Sequence, residues 1–207
     1  MFALVNKEDN SIIRMYNGIK GVTIGENQYP QSIFSLWSEA ERNAIDIYTV
    51  EIDNSKFKDQ EWYINTNITY SFDGSKVTGS YGDATAKSNA DTKWTQSEID
   101  AGEAPEGADT DTVAVKGLKT VLIEQVKLQA ESELNRTDWY ITRKTEKNTA
   151  IPSAISTHRD AVRTKQAEME TAITNASNTP ALETLHTYTE QEDGSITRPL
   201  GELPYLE

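Results

Sequence analysis

The stretch VKGLKTVLIEQVKLQAESEL, residues Val115–Leu134, decides the fold class of the second half of the chain. Its apolar residues recur at helical spacing, and residues with high helix propensity, such as Glu124 and Lys127, stand between them. The polar run Asn135–Asp138 is expected to end this helix. The stretch therefore predicts a long amphipathic helix.

A second helix is expected to follow Ile151 and Pro152, with Ser153 as its N-cap, and to run to about Ala176. Together the two helices predict a helical hairpin over residues 113–178. The apolar stripe of the second helix is narrow: it consists of Ile155, Val162, Met169 and Ile173. Since so narrow a stripe cannot support a large independent core, we expect oligomerisation or docking onto another protein.

Residues 1–81 predict a small β-rich module with one short helix. Ser38 and Glu41 have the spacing of a capping box, so a helix is expected to begin near Ser38 and to end before Asp46. An Asp-Gly pair, Asp73 and Gly74, favours a tight turn between two β-rich runs. The expected strands are Phe2–Val5, Ile12–Tyr16, Val22–Ile24, Ile47–Ile52, Trp62–Phe72 and Ser75–Tyr81.

Residues 82–112 differ in composition, with few large apolar side chains. Residues 83–112 contain eight carboxylates and two lysines, which is typical of an acidic linker. Trp94 is the exception, and it either packs on its own chain or anchors a partner.

Residues 179–207 predict an extended tail with a hairpin turn at Asp193 and Gly194. Pro199 and Pro204 keep the last residues extended. The tail carries four apolar side chains, which is unusual for a terminus that is not tied down. We therefore expect partner binding by Leu200, Leu203, Tyr205 and Leu206. The fold class predicted for the whole chain is α+β.

The composition excludes several classes of function. The net charge of −13 disfavours nucleic acid as a partner, because a chain of this sign repels phosphate groups. No apolar run of about 18 residues indicates a membrane span, and the N-terminus does not resemble a signal peptide. The chain has no cysteine and only two histidines, His158 and His186. We expect no cofactor, no metal site and no catalytic residue.

Two features nevertheless suggest possible chemistry. Asp138 beside Trp139 and near Arg143 could act as an acid of raised pKa, although a helix cap or an ion pair with Arg143 explains it more simply. The aromatic residues between Trp62 and Tyr70 could form a sugar-binding surface, or they could be cross-strand pairs of a hairpin. His158 has no second histidine or acidic residue at ligand spacing, so we expect it to be a packing or solvated residue.

One segment resembles a known family. The run LNRTDWYITR, residues Leu134–Arg143, precedes Ile151-Pro152 and then His158-Arg159 with Arg163. This pattern is similar to a recurrent module of tailed-bacteriophage tail proteins, including tail-fibre assembly proteins and virion proteins of marine phages. The N-terminal stretches 29–37 and 44–50 also resemble the first module of such chains, whereas His158 stands where those proteins usually have tyrosine.

The resemblance implies a structural unit rather than an active site. Its matched residues are Asp138, Trp139, Arg143, Pro152, Arg159 and Arg163. Trp139 is expected to fill the angle between two helices, while Arg143 or Arg159 binds helix-end carbonyls or Asp138.

We therefore expect a non-enzymatic adaptor of the phage tail. It would be made in the bacterial cytoplasm and retained in the virion, in an oligomer or hetero-assembly with tail or tail-fibre proteins. One alternative is a tail-fibre assembly chaperone that leaves before the particle is complete. A second alternative is a glycan-degrading enzyme that uses Asp138 and nearby carboxylates.

Overall fold

The computed structural model describes residues 1–206 and shows a mixed α/β protein with 35% helix, 22% strand and a curled N-terminal sheet. The chain divides into two compact units, Met1–Thr85 and the part from Ala86 onward. Each unit is described by itself.

The first unit is built on a five-stranded sheet. Its elements are β1 (Phe2–Asn6), β2 (Ser11–Tyr16), β3 (Val22–Ile24), β4 (Asn27–Tyr29), α1 (Ile33–Leu36), α2 (Glu39–Asn43), β5 (Ile47–Asp53), β6 (Tyr63–Ile64), β7 (Thr69–Phe72) and β8 (Val77–Ser80). The strand order is β2-β1-β5-β8-β7, and only the β5–β8 pair is parallel. A short strand, β9 (Thr85–Ala86), lies at the unit boundary.

Strand β1 is buried on both faces of this sheet. Ala3 and Val5 face one apolar cluster, and Leu4 between them faces another. The first cluster is completed by Tyr48, Val50, Phe72 and Val77, and the second by Val22, Ile33 and Ile47. Because side chains alternate along a strand, the two clusters lie on opposite faces, and β1 with its neighbour β5 contributes to both.

The capping box predicted at Ser38 is confirmed, since the Ser38 hydroxyl accepts from the Glu41 amide and the Glu41 carboxylate accepts from the Ser38 amide. The predicted long strand Trp62–Phe72 is wrong, because the chain leaves the extended conformation between β6 and β7. Trp62 and Tyr63 are buried, at 4% and 5% exposure, so they do not form an open sugar-binding surface.

The second unit is mainly helical. Its elements are β10 (Thr92–Lys93), α3 (Gln96–Asp100), β11 (Val113–Val115), α4 (Leu118–Asn135), α5 (Asp138–Lys147), α6 (Ser153–Asn175), α7 (Thr179–His186), β12 (Thr189–Glu190) and β13 (Ile196–Thr197). Helices α5 and α7 were not expected: α5 lies within the connection of the predicted hairpin, and α7 occupies the start of the predicted extended tail. The predicted Ser153 cap is also wrong, because Pro152 holds the N-cap position and makes no side-chain cap bond.

Part of the segment expected to be a linker has regular structure. Strand β10 pairs with β11, and helix α3 begins with a second capping box, formed by Thr95 and Glu98. Near the start of the segment, the Lys87 carbonyl oxygen accepts a hydrogen bond from Thr179 Oγ1 at 2.9 Å. Local hydrogen bonds and this long-range contact therefore hold a segment that has too few apolar residues to bury.

Helices α4 and α6 form the core of the second unit and run antiparallel. Their buried side chains include Leu122, Val126, Ala130, Val162, Met169 and Ile173. At one end, Lys119 Nζ in the first turn of α4 donates to the carbonyl oxygen of Thr174 near the end of α6, at 2.7 Å. At the opposite end, Arg159 on α6 reaches the last turn of α4.

Candidate interaction site

Arg159 joins the end of α4 to the start of α5. Its side chain is 9% exposed, and Nη1 lies 2.7 Å from each of the Leu134 carbonyl oxygen, Thr137 Oγ1 and Asp138 Oδ1. A cation is favourable at the C-terminal end of a helix, and a carboxylate is favourable in the first turn of the next. We call this cluster the Arg159 junction.

The junction corrects the interpretation of Trp139 and decides between Arg143 and Arg159, the two expected partners of Asp138. Trp139 does not fill the angle between the helices: it is 51% exposed and lies against the Tyr140 ring, with centroids 3.8 Å apart. Thr137 fills that space instead and is 1% exposed. Asp138 pairs with Arg159 rather than with Arg143, so its carboxylate holds two helix ends together.

Helix α5 directs its side chains outward. None of its ten residues is buried. The Arg143 guanidinium lies over the Trp139 ring, 5.8 Å from the centroid. Because residues four apart share a helix face, Trp139, Arg143 and Lys147 form one exposed aromatic and cationic face, which we call the α5 face.

The C-terminal tail is held by its own unit. Leu200 is 3% exposed, and its amide donates to the Leu185 carbonyl oxygen at 3.0 Å. Farther along, Arg136 Nη2 lies 3.2 Å from the Tyr205 hydroxyl and 3.3 Å from the Leu206 carbonyl oxygen. The Tyr205 hydrogen bond raises the pKa of Arg136.

The tail nevertheless leaves apolar surface exposed. Tyr205 is 70% exposed although Arg136 lies over its ring, 4.3 Å from the centroid. Leu203 and Leu206 are half-buried. The four tail residues predicted to bind a partner are thus of two kinds: Leu200 belongs to the core of the unit, and the other three lie at its surface.

The remaining predicted residues do not converge on one site. Trp94 follows β10 and is half-buried, with its amide bound to the Thr112 carbonyl oxygen at 3.1 Å. Arg163 is exposed and pairs with Asp160. From the predicted set, the structure brings together Asp138 with Arg159 and, on the α5 face, Trp139 with Arg143.

Two residues that contribute to the site were given no role of their own. Thr137 and Arg136 were expected only as parts of the polar break after α4 and of the segment that resembles the phage module. His158, which was expected to be a packing or solvated residue, is buried, with Nε2 3.9 Å from Glu133 Oε2, so it is a packing residue. Among residues 1–206, no cluster of histidine and carboxylate side chains could hold a metal ion.

Comparison with known proteins gave no match to a family model, to a curated protein or to a solved structure. Within the described part of the chain, every helix is too short or too polar to cross a membrane.

Proposed function

We propose that the chain is a non-enzymatic structural protein of a bacteriophage tail, an adaptor that joins a tail fibre or another tail component to its neighbour. The observation that carries this proposal is the α5 face. Helix α5 exposes Trp139 and its neighbouring cations to solvent. Asp138 and Arg159, which belong to the same phage-like segment, instead bind each other within the unit.

The Arg159 junction and the α5 face have different roles in this proposal. The Arg159 junction positions helix α5, and the α5 face contacts the neighbouring protein. Tryptophan and arginine are the residues that most often dominate binding at protein interfaces. An arginine stacked on an exposed tryptophan is already ordered before binding, which lowers the entropy cost of association.

The resemblance to phage tail proteins gives the proposal its biological setting. The matched segment, Leu134–Arg143, contains the end of α4, the three groups that Arg159 binds and the first half of α5. The same residues would serve an assembly chaperone that binds the fibre and then leaves. The net charge of −13 favours that alternative, because a highly charged chain remains soluble on its own.

Quantitative mass spectrometry tests the proposal. The sample is gradient-purified particles of the phage that encodes the chain. We expect the chain in mature particles at a fixed ratio to the tail-fibre protein. Absence from particles, together with co-purification with the fibre from infected cells, would replace the adaptor by the chaperone. Absence of the chain from the particles and from the purified fibre would exclude both the adaptor and the chaperone.

Photo-crosslinking tests the surface itself. A photoreactive phenylalanine analogue at Trp139 is expected to crosslink to a tail protein in assembling particles. The same analogue at Leu128, an exposed apolar residue of α4, serves as the matched control. Equal crosslinking from both positions would remove the α5 face from the proposal.

A further inference from the structure

A groove in the first unit is independent of the proposed adaptor surface. It has a volume of about 770 Å³ and is formed by the second half of β2 and the loop that leads to β3. Residues Arg14, Met15, Tyr16, Ile19, Lys20 and Val22 are among those that line it. The groove is therefore built mainly from one stretch of chain, residues 14–23, with Met1 beside it.

Two glycines fix the path of the loop. Gly18 has a φ of +75°, and a Cβ there would lie 3.2 Å from the Phe2 ring. A Cβ on Gly21 would lie 2.6 Å from the Tyr29 carbonyl oxygen, which is closer than real Cβ atoms come. The loop thus follows a path that only glycine allows at these two positions, so the groove has a defined shape.

The charge of the groove is unusual for this chain. Its lining contains Arg14 and Lys20 but no carboxylate. Within residues 1–206, neither cation forms an ion pair, whereas Lys7, Lys56 and Lys76 of the same unit each pair with a carboxylate. Two unneutralised cations thus share one concave surface of an acidic protein.

The Arg14 guanidinium is positioned by an aromatic ring and not by a carboxylate. It lies over the Tyr16 ring, 5.7 Å from the centroid. Such a stacked guanidinium keeps its N–H groups available for a planar, bidentate contact with an oxyanion. The exposed side chain of Ile19 and the Tyr16 ring add apolar surface to the lining and favour a ligand with an organic part.

We propose that this groove binds an oxyanion, a carboxylate or phosphate group on a small organic molecule such as an acidic sugar. Arg14 and Lys20 bind the anionic group, and the loop Asn17–Gly21 surrounds it. This assignment does not depend on the adaptor function, because every residue that it uses lies in the first unit.

Titration of the ¹⁵N-labelled full-length chain, followed by NMR, tests the proposal. The probes are sodium phosphate, sodium glucuronate and uncharged glucose. We expect saturable shifts at Gly18, Lys20 and Gly21 with at least one of the two anions and none with glucose. A response to glucuronate alone assigns the carboxylate as the ligand group, and a response to phosphate alone assigns the phosphate.

Two double variants locate the binding. Arg14→Gln with Lys20→Gln is expected to weaken binding by at least about tenfold, because both cations that donate charge-assisted hydrogen bonds to the anion are removed. Lys56→Gln with Lys58→Gln removes two cations of the same unit outside the groove and should leave the affinity unchanged. The amide spectrum also reports whether each variant is folded. Equal weakening by both double variants, shifts that never saturate, or an equal response to glucose would overturn the proposal.

Discussion

Arg159 Nη1 and Asp138 Oδ1 lie 2.7 Å apart although 21 positions separate the two residues in the sequence. The same nitrogen also reaches the Leu134 carbonyl oxygen and the Thr137 hydroxyl. One buried guanidinium group therefore determines where α4 ends and where α5 begins.

Arg159→Ala should lower the free energy of unfolding of the second unit. Removing one member of a buried pair leaves its partners unsatisfied, and since Asp138 is half-exposed we expect a loss of about 3 kcal/mol. Arg159→Lys keeps the positive charge and should lose less. Urea denaturation followed by far-UV circular dichroism measures both. Arg163→Ala is the control, because its exposed ion pair with Asp160 should contribute less than about 1 kcal/mol. Equal losses of unfolding free energy in the two alanine variants would show that the Arg159 junction does not stabilise the unit.

Arg136→Gln should release the end of the tail. The substitution removes the cation that lies over the Tyr205 ring and donates to the Leu206 carbonyl oxygen. The ¹H–¹⁵N heteronuclear NOE of the Tyr205 and Leu206 amides is expected to fall, while the Leu200 amide stays rigid because of its bond to the Leu185 carbonyl oxygen. Arg143→Gln removes a cation of the same unit and should leave the NOE of the tail unchanged. An unchanged NOE in the Arg136 variant would show that other contacts hold the tail.

The Asp73 carboxylate should titrate at unusually low pH. The Lys76 amide, then the Ser75 hydroxyl and amide, donate hydrogen bonds to it and lower the pKa of Asp73 from the ordinary 3.8 to about 2. A depressed pKa in the folded state means that the stabilisation is complete above pH 3.8 and is lost as the pH falls through about 2.

Asp73→Asn should therefore flatten the acid limb of the stability curve of the first unit. NMR titration of the Asp73 carboxyl carbon measures the pKa directly. Ser75→Ala removes the hydroxyl and retains both amides, so it should move the pKa part of the way back. A midpoint of 3.8 in the unmodified chain would show that the turn does not form these bonds in solution.

Gly117→Ala should destabilise the start of α4. Gly117 has φ −75° and ψ 166°, which alanine also adopts, so the backbone conformation is not the obstacle. A Cβ there would lie 2.4 Å from the Ala90 carbonyl carbon and would push away the loop that accepts from the Leu118 amide.

We expect this overlap to cost about 2 kcal/mol. Differential scanning calorimetry compares Gly117→Ala with Lys116→Ala, which removes only an exposed ion pair to Glu124 and should cost less than about 1 kcal/mol. Equal melting temperatures of the two variants would show that the loop moves aside without loss of stability.

The elements that were predicted correctly from the sequence have local signals. The Ser38 capping box needs only residues three positions apart, and the helices α4 and α6 carry their own apolar periodicity. Helix α7 also had a usable signal that was overlooked: Asn178 accepts from the Ala181 amide as N-cap, and Pro180 lies in the first turn.

The features that were not predicted from the sequence depend on contacts between distant parts of the chain. Helix α5 buries none of its residues, so it has no apolar stripe to reveal it. The contact between Arg136 and Tyr205 spans 69 positions, and no sequence pattern links the two residues. The groove at Arg14 and Lys20 likewise requires the fold, because only the structure shows that no carboxylate accompanies those cations.

The two polar contacts between α4 and α6 affect which parts of the sequence can change. Lys119 holds the end of α6 and Arg159 holds the end of α4, so the two helices cannot slide by a turn without losing both contacts. Helix α5, which lies between them in the sequence, has no buried residue. We therefore expect its outward-facing residues to tolerate substitution without a change in the alignment of the pair, so that this scaffold can present different side chains in the same position.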